Sequence, residues 1–304
     1  MFDLAIIGGG PAGCAAGVYA ARKLLKTVLI TENFGGQSID SADVQNWIGT
    51  PHIPGPDLAK ILEQHVRTYA GDVVTIITGT RVTKVEKQGD HFLIGTSTGK
   101  SFEARTILVT TGGQRRKLDA PGADQYEHKG LTYCATCDGP LFSGADVAVI
   151  GGGNAAFETA AQLLAYCKSV TLLARSDFRA DPVTVKMVTA DPKMTAIPNT
   201  EIVEVKGEKF VKSLTYKDAS GEHELATGGI FVEIGLIPST EYLKGVVDLN
   251  EQGRVVIDPW TQRTSASGIW AAGDCTTALY HQNNIAAGDA VKALEDIYIA
   301  LKTS

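Results

Sequence analysis

An apolar run from Phe2 to Ile7 stops at Gly8-Gly-Gly-Pro-Ala-Gly13, and an alanine-rich stretch carries on from Pro11 to Leu25. The pattern predicts strand, turn and helix, with a second strand from Thr27 to Ile30. The same unit returns later. Asp146 to Ile150 leads into Gly151-Gly-Gly-Asn154, Ala156, Ala160, Leu163 and Leu164 recur at helical spacing from Ala155 to Cys167, and Val170 to Leu173 follows as a strand.

Between the two units, Arg81 to Val85, His91 to Ile94 and Ala104 to Thr110 alternate like strands around turns at Gly89-Asp90 and Gly99-Lys100, which predicts a small antiparallel insertion. A comparable set follows the second unit: Glu201 to Val205, Val211 to Tyr216 and His223 to Leu225, turning at Ser220-Gly221. Near the end, Gly268 to Ala272 reads as a strand, Gly273-Asp274 as a turn and Asn284 to Leu301 as a helix, which must return to one of the earlier sheets. The fold class is α/β with two Rossmann-like nucleotide-binding domains, each carrying a small antiparallel β element.

Each glycine turn has a mechanical task. Gly8 and Gly151 make the tight bend, Gly10 and Gly153 admit a pyrophosphate against the backbone, and Gly13 or Ala156 allows close helix-to-strand packing. Pro11, Ala12, Asn154 and Ala155 open the two helices, whose N–H groups face the anion. Glu32, at the end of the first unit's second strand, suits the ribose hydroxyls of FAD or NAD, or is a solvated strand-end acid. The second unit offers Ala174-Arg175-Ser176 with Arg179. Two cations, with no acid at the strand end itself, favour a 2′-phosphate, hence NADPH with NADH as the alternative, unless these are ordinary surface arginines.

Cys134-Ala-Thr-Cys137 has the spacing for a redox disulfide or for half of a metal site. A structural zinc needs four ligands, and Cys14, Cys167 and Cys275 are isolated, with no histidine pair at ligand spacing. A redox pair and no metal is the better reading. Asp138 follows directly, either as a proton-exchanging group for a thiolate or as an Asp-Gly turn with Gly139.

A chain of 304 residues, 44% hydrophobic with 33 glycines, has room for two cores. Its net charge of −6 and lack of a long basic run argue against nucleic acid, and no stretch approaches transmembrane length. The start runs into Gly8 without a basic leader, and the scattered cysteines do not form a disulfide framework. A soluble, cytoplasmic protein with no membrane partner is expected.

The chain resembles the low-molecular-weight thioredoxin reductases and the related flavoprotein of the alkyl hydroperoxide reductase system over essentially its whole length. The matching segments are Gly8 to Gly13, Gly35-Gly36-Gln37, Asn46-Trp47, Thr111-Gly112, Cys134 to Gly139, Gly151 to Asn154 and Gly273-Asp274. The resemblance implies an FAD domain of residues 1–113 plus 243–304 and an inserted NAD(P)H domain of residues 114–242 bearing the dithiol. By position, Glu32, Gly36, Gln37, Asn46, Thr111 and Gly112 would join the first cradle around FAD. Gly273, Asp274 and Gln282 would approach the flavin's ribityl and ring region. Cys137 would face the flavin, Cys134 would attack the partner disulfide, and Asp138 would supply and take the proton.

Also implied are electron flow from NAD(P)H through FAD and the dithiol to a small redox protein such as thioredoxin, a homodimer, and hinges near Gln114 and Gly245. The arginine cluster departs from the family's NADPH pattern. Cys275, most simply a core thiol, and Gly139-Pro140-Leu141-Phe142 lean toward the hydroperoxide reductase branch. That flavoprotein usually carries an N-terminal relay domain, whereas this sequence opens at the FAD cradle, so a separate redox protein would serve. Rival readings are an NADH-dependent reductase feeding a peroxiredoxin system, a ferredoxin-dependent relative, a dithiol oxidase, and a zinc-stabilised nucleotide-sensing module.

Overall fold

The computed structural model describes residues 1–41 and 43–303; Ala42 and Ser304, which fall within the expected FAD segments, lie outside the described residues. The chain runs through β1 (Phe2–Gly9), α1 (Pro11–Arg22), β2 (Thr27–Phe34), α2 (Gly55–Ala70), β3 (Val74–Ile77), β4 (Val82–Gln88), β5 (His91–Thr96), β6 (Ser101–Val109) and β7 (Gly113–Arg115). It continues with β8 (Leu131–Thr132), α3 (Ala135–Asp138), β9 (Asp146–Ile150), α4 (Asn154–Leu163), β10 (Ser169–Leu173), α5 (Pro182–Thr189) and β11 (Met194–Ile197). Then come β12 (Glu201–Gly207), β13 (Val211–Asp218), β14 (Gly221–Ala226), β15 (Gly229–Val232), β16 (Leu236–Pro238), β17 (Ile269–Ala271) and α6 (Asn283–Thr303). Two compact units result, one built from the chain up to Gln114 and from Ile237 onward, the other from Arg115–Leu236.

In the first unit a seven-stranded sheet has the order β3-β2-β1-β6-β5-β4, with β17 also paired to β6. β1, β2, β3, β6 and β17 are parallel, while β5 runs antiparallel to β6 and β4. The antiparallel strands are therefore not a free-standing insertion. β6 is long enough for its first half to pair with β5 and for Ile107 to Val109 to pair with β17, so one strand serves both systems. Alanines on α1 (Ala12, Ala16, Ala20) and α6 (Ala286, Ala290, Ala293) share a core with Leu4 and Ile6. Small side chains let those helices come close, and burying Leu4 or Ile6 contributes about 1.5–3 kcal/mol each. α1 ends at Arg22 rather than at the predicted Leu25, because Leu24 adopts φ 56° and turns the chain toward β2.

The second unit holds a five-stranded parallel sheet of order β11-β10-β9-β15-β8. Phe157 and Leu163 of α4 cover one face with Val147, Val149 and Phe231. The other face, with Ala148, Ile150, Leu173 and Ile230, packs against Val205 and Leu214 of the separate β12-β13-β14 sheet. The return passage lies at Leu236/Ile237, ahead of the 242/243 boundary that the resemblance implies. Leu243 is fully buried with Val247 and Val255 in the first unit's core, and Gly245, expected as a hinge, lies in that unit too.

Candidate active site: two glycine cradles and a dithiol

Each cradle sits where the strand order reverses: between β1 and β6 in the first unit, between β9 and β15 in the second. Gly8 (φ 118°) and Gly151 (φ 149°) take left-handed conformations that a side chain would strain. A Cβ on Gly8 would collide with the Thr110 carbonyl oxygen, one on Gly13 with the Gly8 carbonyl oxygen, and one on Gly151 with the Glu233 carbonyl oxygen. The middle glycines differ. Nothing lies within 4 Å of the Cβ position of Gly153, and that of Gly10 meets only Gly36, at 3.7 Å from its Cα. Both turns thus combine closed packing beneath with open backbone above, which fits a pyrophosphate held by helix N–H groups.

Around the first cradle the fold gathers residues more than two hundred positions apart. Gln37 Nε2 donates to Asp274 Oδ2 at 3.2 Å, and Asn46 Nδ2 to Gln282 Oε1 at 3.1 Å. Two contacts that the sequence reading missed reinforce them: Ser38 Oγ to Asn283 Oδ1 at 2.9 Å and Asn284 Nδ2 to the Asn46 carbonyl at 2.7 Å. The polar run Gln282-Asn283-Asn284 was their one visible signal. Gly273 (φ 78°) lies between Ala286 and Ala12, near the start of α1. Pro11 occupies the first turn of α1, and Gly112 (φ 59°) follows Thr111, whose hydroxyl donates to the Ser239 carbonyl at 2.8 Å. Glu32 lies within β2 rather than at its end, because the strand continues to Phe34. It is exposed and pairs with Arg81 at 2.7 Å.

In the second unit Ala156 is fully buried beneath Gly151, while Ala155 is exposed on the first turn of α4. Asn154 does not present a free amide oxygen to the cradle: Oδ1 accepts from the Asp181 N–H at 2.8 Å. The Gly152 carbonyl accepts from the Arg179 N–H at 2.7 Å, and the Ala174 carbonyl from the Thr200 N–H at 2.9 Å. These bonds pin the Ala174 to Asp181 loop beside the turn. Arg175 and Arg179 are exposed and make no ion pair among the described residues. Asp177, the acid between them, is held by Asn199 Nδ2 at 3.0 Å.

Cys134 and Cys137 are joined in a disulfide across α3. The Cys137 N–H donates to Cys134 Sγ at 3.2 Å, a donor that would remain for a Cys134 thiolate after reduction. Asp138 closes α3, and its carboxylate accepts from the Thr132 hydroxyl, a partner with no signal in the sequence. Burial pushes the Asp138 carboxyl above the usual range; the Thr132 hydrogen bond and nearby His128 pull the other way without cancelling it. Cys14, Cys167 and Cys275 are free and buried. Burial, with the nearby Glu63 carboxylate, raises the Cys14 thiol to about 12, and burial raises Cys275 to about 11, so neither is a ready nucleophile. Among the described residues no cluster of three or more metal-type ligands exists, and no helix is long and apolar enough to cross a membrane.

Comparison with known proteins adds an independent line. The family model described as pyridine nucleotide-disulphide oxidoreductase matches residues 2–295. The F component of alkyl hydroperoxide reductase from Escherichia coli (strain K12) is 42% identical over 296 residues, covering 96% of this chain and 57% of that protein. A Bacillus subtilis (strain 168) protein named NADH dehydrogenase is 39% identical over 295 residues, 96% of this chain and 57% of its own. The chain thus spans about half the length of these curated relatives. Among solved structures, thioredoxin reductase from Streptococcus pyogenes MGAS5005 superposes with a TM-score of 0.92 at 33% identity, covering 100% of this chain and 99% of that one. The thioredoxin reductase from Giardia duodenalis gives 0.92 at 32%, with 98% and 99% covered. A family match across nearly the whole chain, on a thioredoxin reductase fold with a bonded cysteine pair, makes the chain a member of the pyridine nucleotide-disulphide oxidoreductase family.

Proposed function

We propose that the chain is a thioredoxin-disulfide reductase, carrying electrons from NADPH through FAD and the Cys134–Cys137 dithiol to a small disulfide protein of the thioredoxin kind, and that it works as a homodimer. The observation that carries this reading is the bonded Cys134–Cys137 pair beside the half-buried carboxyl of Asp138, in the unit that also holds the second glycine cradle. The first unit would be the FAD domain and the second the nicotinamide domain. Gly8, Gly10, Gly13, Gly36, Gln37, Asn46, Asp274 and Gln282 would line the flavin site, the Gly151 turn and α4 would hold the nicotinamide nucleotide, and Arg175 and Arg179 would meet its 2′-phosphate. Bound FAD would supply the two-electron relay from nicotinamide to disulfide.

The rest is thiol chemistry. Two electrons open the Cys134–Cys137 bond. Cys134 thiolate then attacks the partner disulfide, forming a Cys134–partner S–S bond while the second partner sulfur leaves as a thiolate and takes the Asp138 proton. Cys137 thiolate next attacks Cys134 sulfur, which re-forms the internal disulfide and expels the remaining partner sulfur as a thiolate; that thiolate and Asp138 each take a proton from water, and the partner leaves as a dithiol. The raised carboxyl keeps its proton to higher pH than an ordinary aspartate. The transfer rate should therefore fall as pH rises through that value. Asp138→Asn is expected to cut turnover on the order of 10²-fold and flatten that limb of the profile; an unaltered pH profile would remove the role.

A second reading has specific support: the Escherichia coli relative named for alkyl hydroperoxide reductase is 42% identical here. In that case the electrons would come from NADH and end in a peroxide-reducing system. Anaerobic stopped-flow bleaching of the bound flavin separates the two. Bleaching by NADPH that Arg175→Ala and Arg179→Ala weaken about tenfold or more supports the first reading. Bleaching by NADH alone supports the second, and bleaching by neither, where dithionite succeeds, overturns both.

A further inference from the structure

The two cradles are built alike down to the residue beneath the first glycine, and there they differ in charge. In the first unit Thr110 follows β6; its N–H donates to the Ile7 carbonyl at 2.8 Å, and its carbonyl lies under Gly8. In the second unit Glu233 follows β15; its N–H donates to the Ile150 carbonyl at 2.7 Å, and its carbonyl lies under Gly151. The side chain at this station is a hydroxyl in one case, donating to the Ile7 carbonyl at 2.9 Å, and a carboxyl in the other. A carboxyl is the costlier choice, because the Glu233 side chain is only 7% exposed. Thr159 Oγ1 of α4 donates to Oε1 at 3.0 Å, and Arg115 Nη1 of β7 stands 3.6 Å from Oε2. Two partners from two elements make this a built site rather than a chance burial.

A dinucleotide seated on the Gly151 turn has its pyrophosphate at the start of α4 and its adenosine ribose toward the end of β10. Its other half would then cross the switch point toward β15, after which Glu233 stands. The nicotinamide ring carries a positive charge when oxidised and none when reduced. We infer that Glu233 is a positioning residue that biases the second cradle toward the oxidised nicotinamide nucleotide, through the interaction of its carboxylate with the cationic ring, with Arg115 as the group that moderates it. This rests on the assignment of the nicotinamide nucleotide to the second unit. The bias favours hydride departure from the bound donor at the expense of tighter product binding.

The charges facing this carboxyl are Arg115 from β7 and Glu158 from α4, with the Thr159 hydroxyl alongside. Burial is the main influence and raises the carboxyl, Arg115 and Thr159 lower it, and Glu158 raises it. As pH rises through this elevated value the proton leaves, and the preference for the cationic ring should grow to a plateau. Removing Arg115 takes away a lowering influence, so the transition should move to higher pH and its plateau should rise.

The test is equilibrium binding to the oxidised holoenzyme of NADP⁺ and of tetrahydro-NADP, whose ring is neutral and cannot reduce the flavin, followed upward from pH 4.5, the ordinary glutamate value. The affinity ratio of the wild-type protein should rise with pH and exceed that of Glu233→Gln on the order of tenfold at the plateau, with the variant's ratio flat. Arg115→Met should move the ratio the opposite way, upward, and it carries the test alone if Glu233→Gln does not fold. Equal ratios in wild type and Glu233→Gln, or an Arg115→Met ratio that does not rise, overturn the inference. Failure of the wild type to bind either probe, and likewise the NAD⁺ pair, overturns the nucleotide assignment itself.

Discussion

Replacing Cys137 with Ser is expected to lower reduction of a disulfide partner by at least roughly 10³-fold while the protein stays folded with flavin bound, and Cys134→Ser should cost as much. The two losses match because the cysteines act as one device. Each is an end of the same S–S bond, and neither sulfur alone can store two electrons or resolve a mixed disulfide. The variants should differ in what they trap. Cys137→Ser leaves the Cys134 thiol, beside the Cys137-position N–H, free to attack and unable to be released, so a stable covalent complex with a partner should accumulate. Cys134→Ser should trap none. Partner-reduction assays with flavin absorbance and non-reducing gels read all three quantities. Substantial turnover in either variant would end the dithiol mechanism.

The second large effect is structural. Gly13→Ala is expected to destabilise the first unit by about 2–4 kcal/mol and to abolish flavin retention, because the added methyl would collide with the Gly8 carbonyl oxygen, which is backbone and has no side-chain freedom to yield. The paired control is Gly153→Ala. Its backbone is extended at φ −97° and nothing lies within 4 Å of the new Cβ, so its stability should change by less than about 1 kcal/mol. Its cost should fall on nucleotide affinity instead, since the methyl occupies the open side of the turn. Thermal denaturation and flavin content of the purified variants check the first, and nucleotide titration the second. A Gly13→Ala protein that keeps its flavin and melting temperature would show that α1 does not need this approach to β1.

These effects trace back to features of different visibility. Local chemistry makes the two glycine turns legible, because Gly13 must clear the Gly8 carbonyl within one strand, turn and helix and because Gly8 and Gly151 take positive φ; the further crowding by Thr110 and Glu233 comes from distant strands. The cysteine pair is legible for the same reason: its spacing alone allows the small ring. α2 is not among the expected elements, although Leu58, Ala59, Val66 and Ala70 form its buried face and Pro56 and Gly71 punctuate its ends; it belongs to neither of the two repeated strand-turn-helix units. β6 reads as part of an antiparallel insertion because alternation records burial and not the partner strand. Pairing with β1 and β17 is decided by residues far away in the chain.

What the sequence determined by itself is the set of short-range devices: two phosphate-type turns, a CxxC pair with an adjacent acid, and the alternation of strands and helices that makes the chain α/β. Tertiary structure alone decided which distant groups meet. It brought Gln37 to Asp274 and Asn46 to Gln282, set Asp138 half-buried against Thr132, and set Glu233 under Gly151 between Arg115 and Thr159. The physical reason is range. A turn's conformation is dictated within a few residues by backbone sterics, whereas the charge state of a carboxyl and the identity of its neighbours depend on which surfaces the whole hydrophobic core presses together.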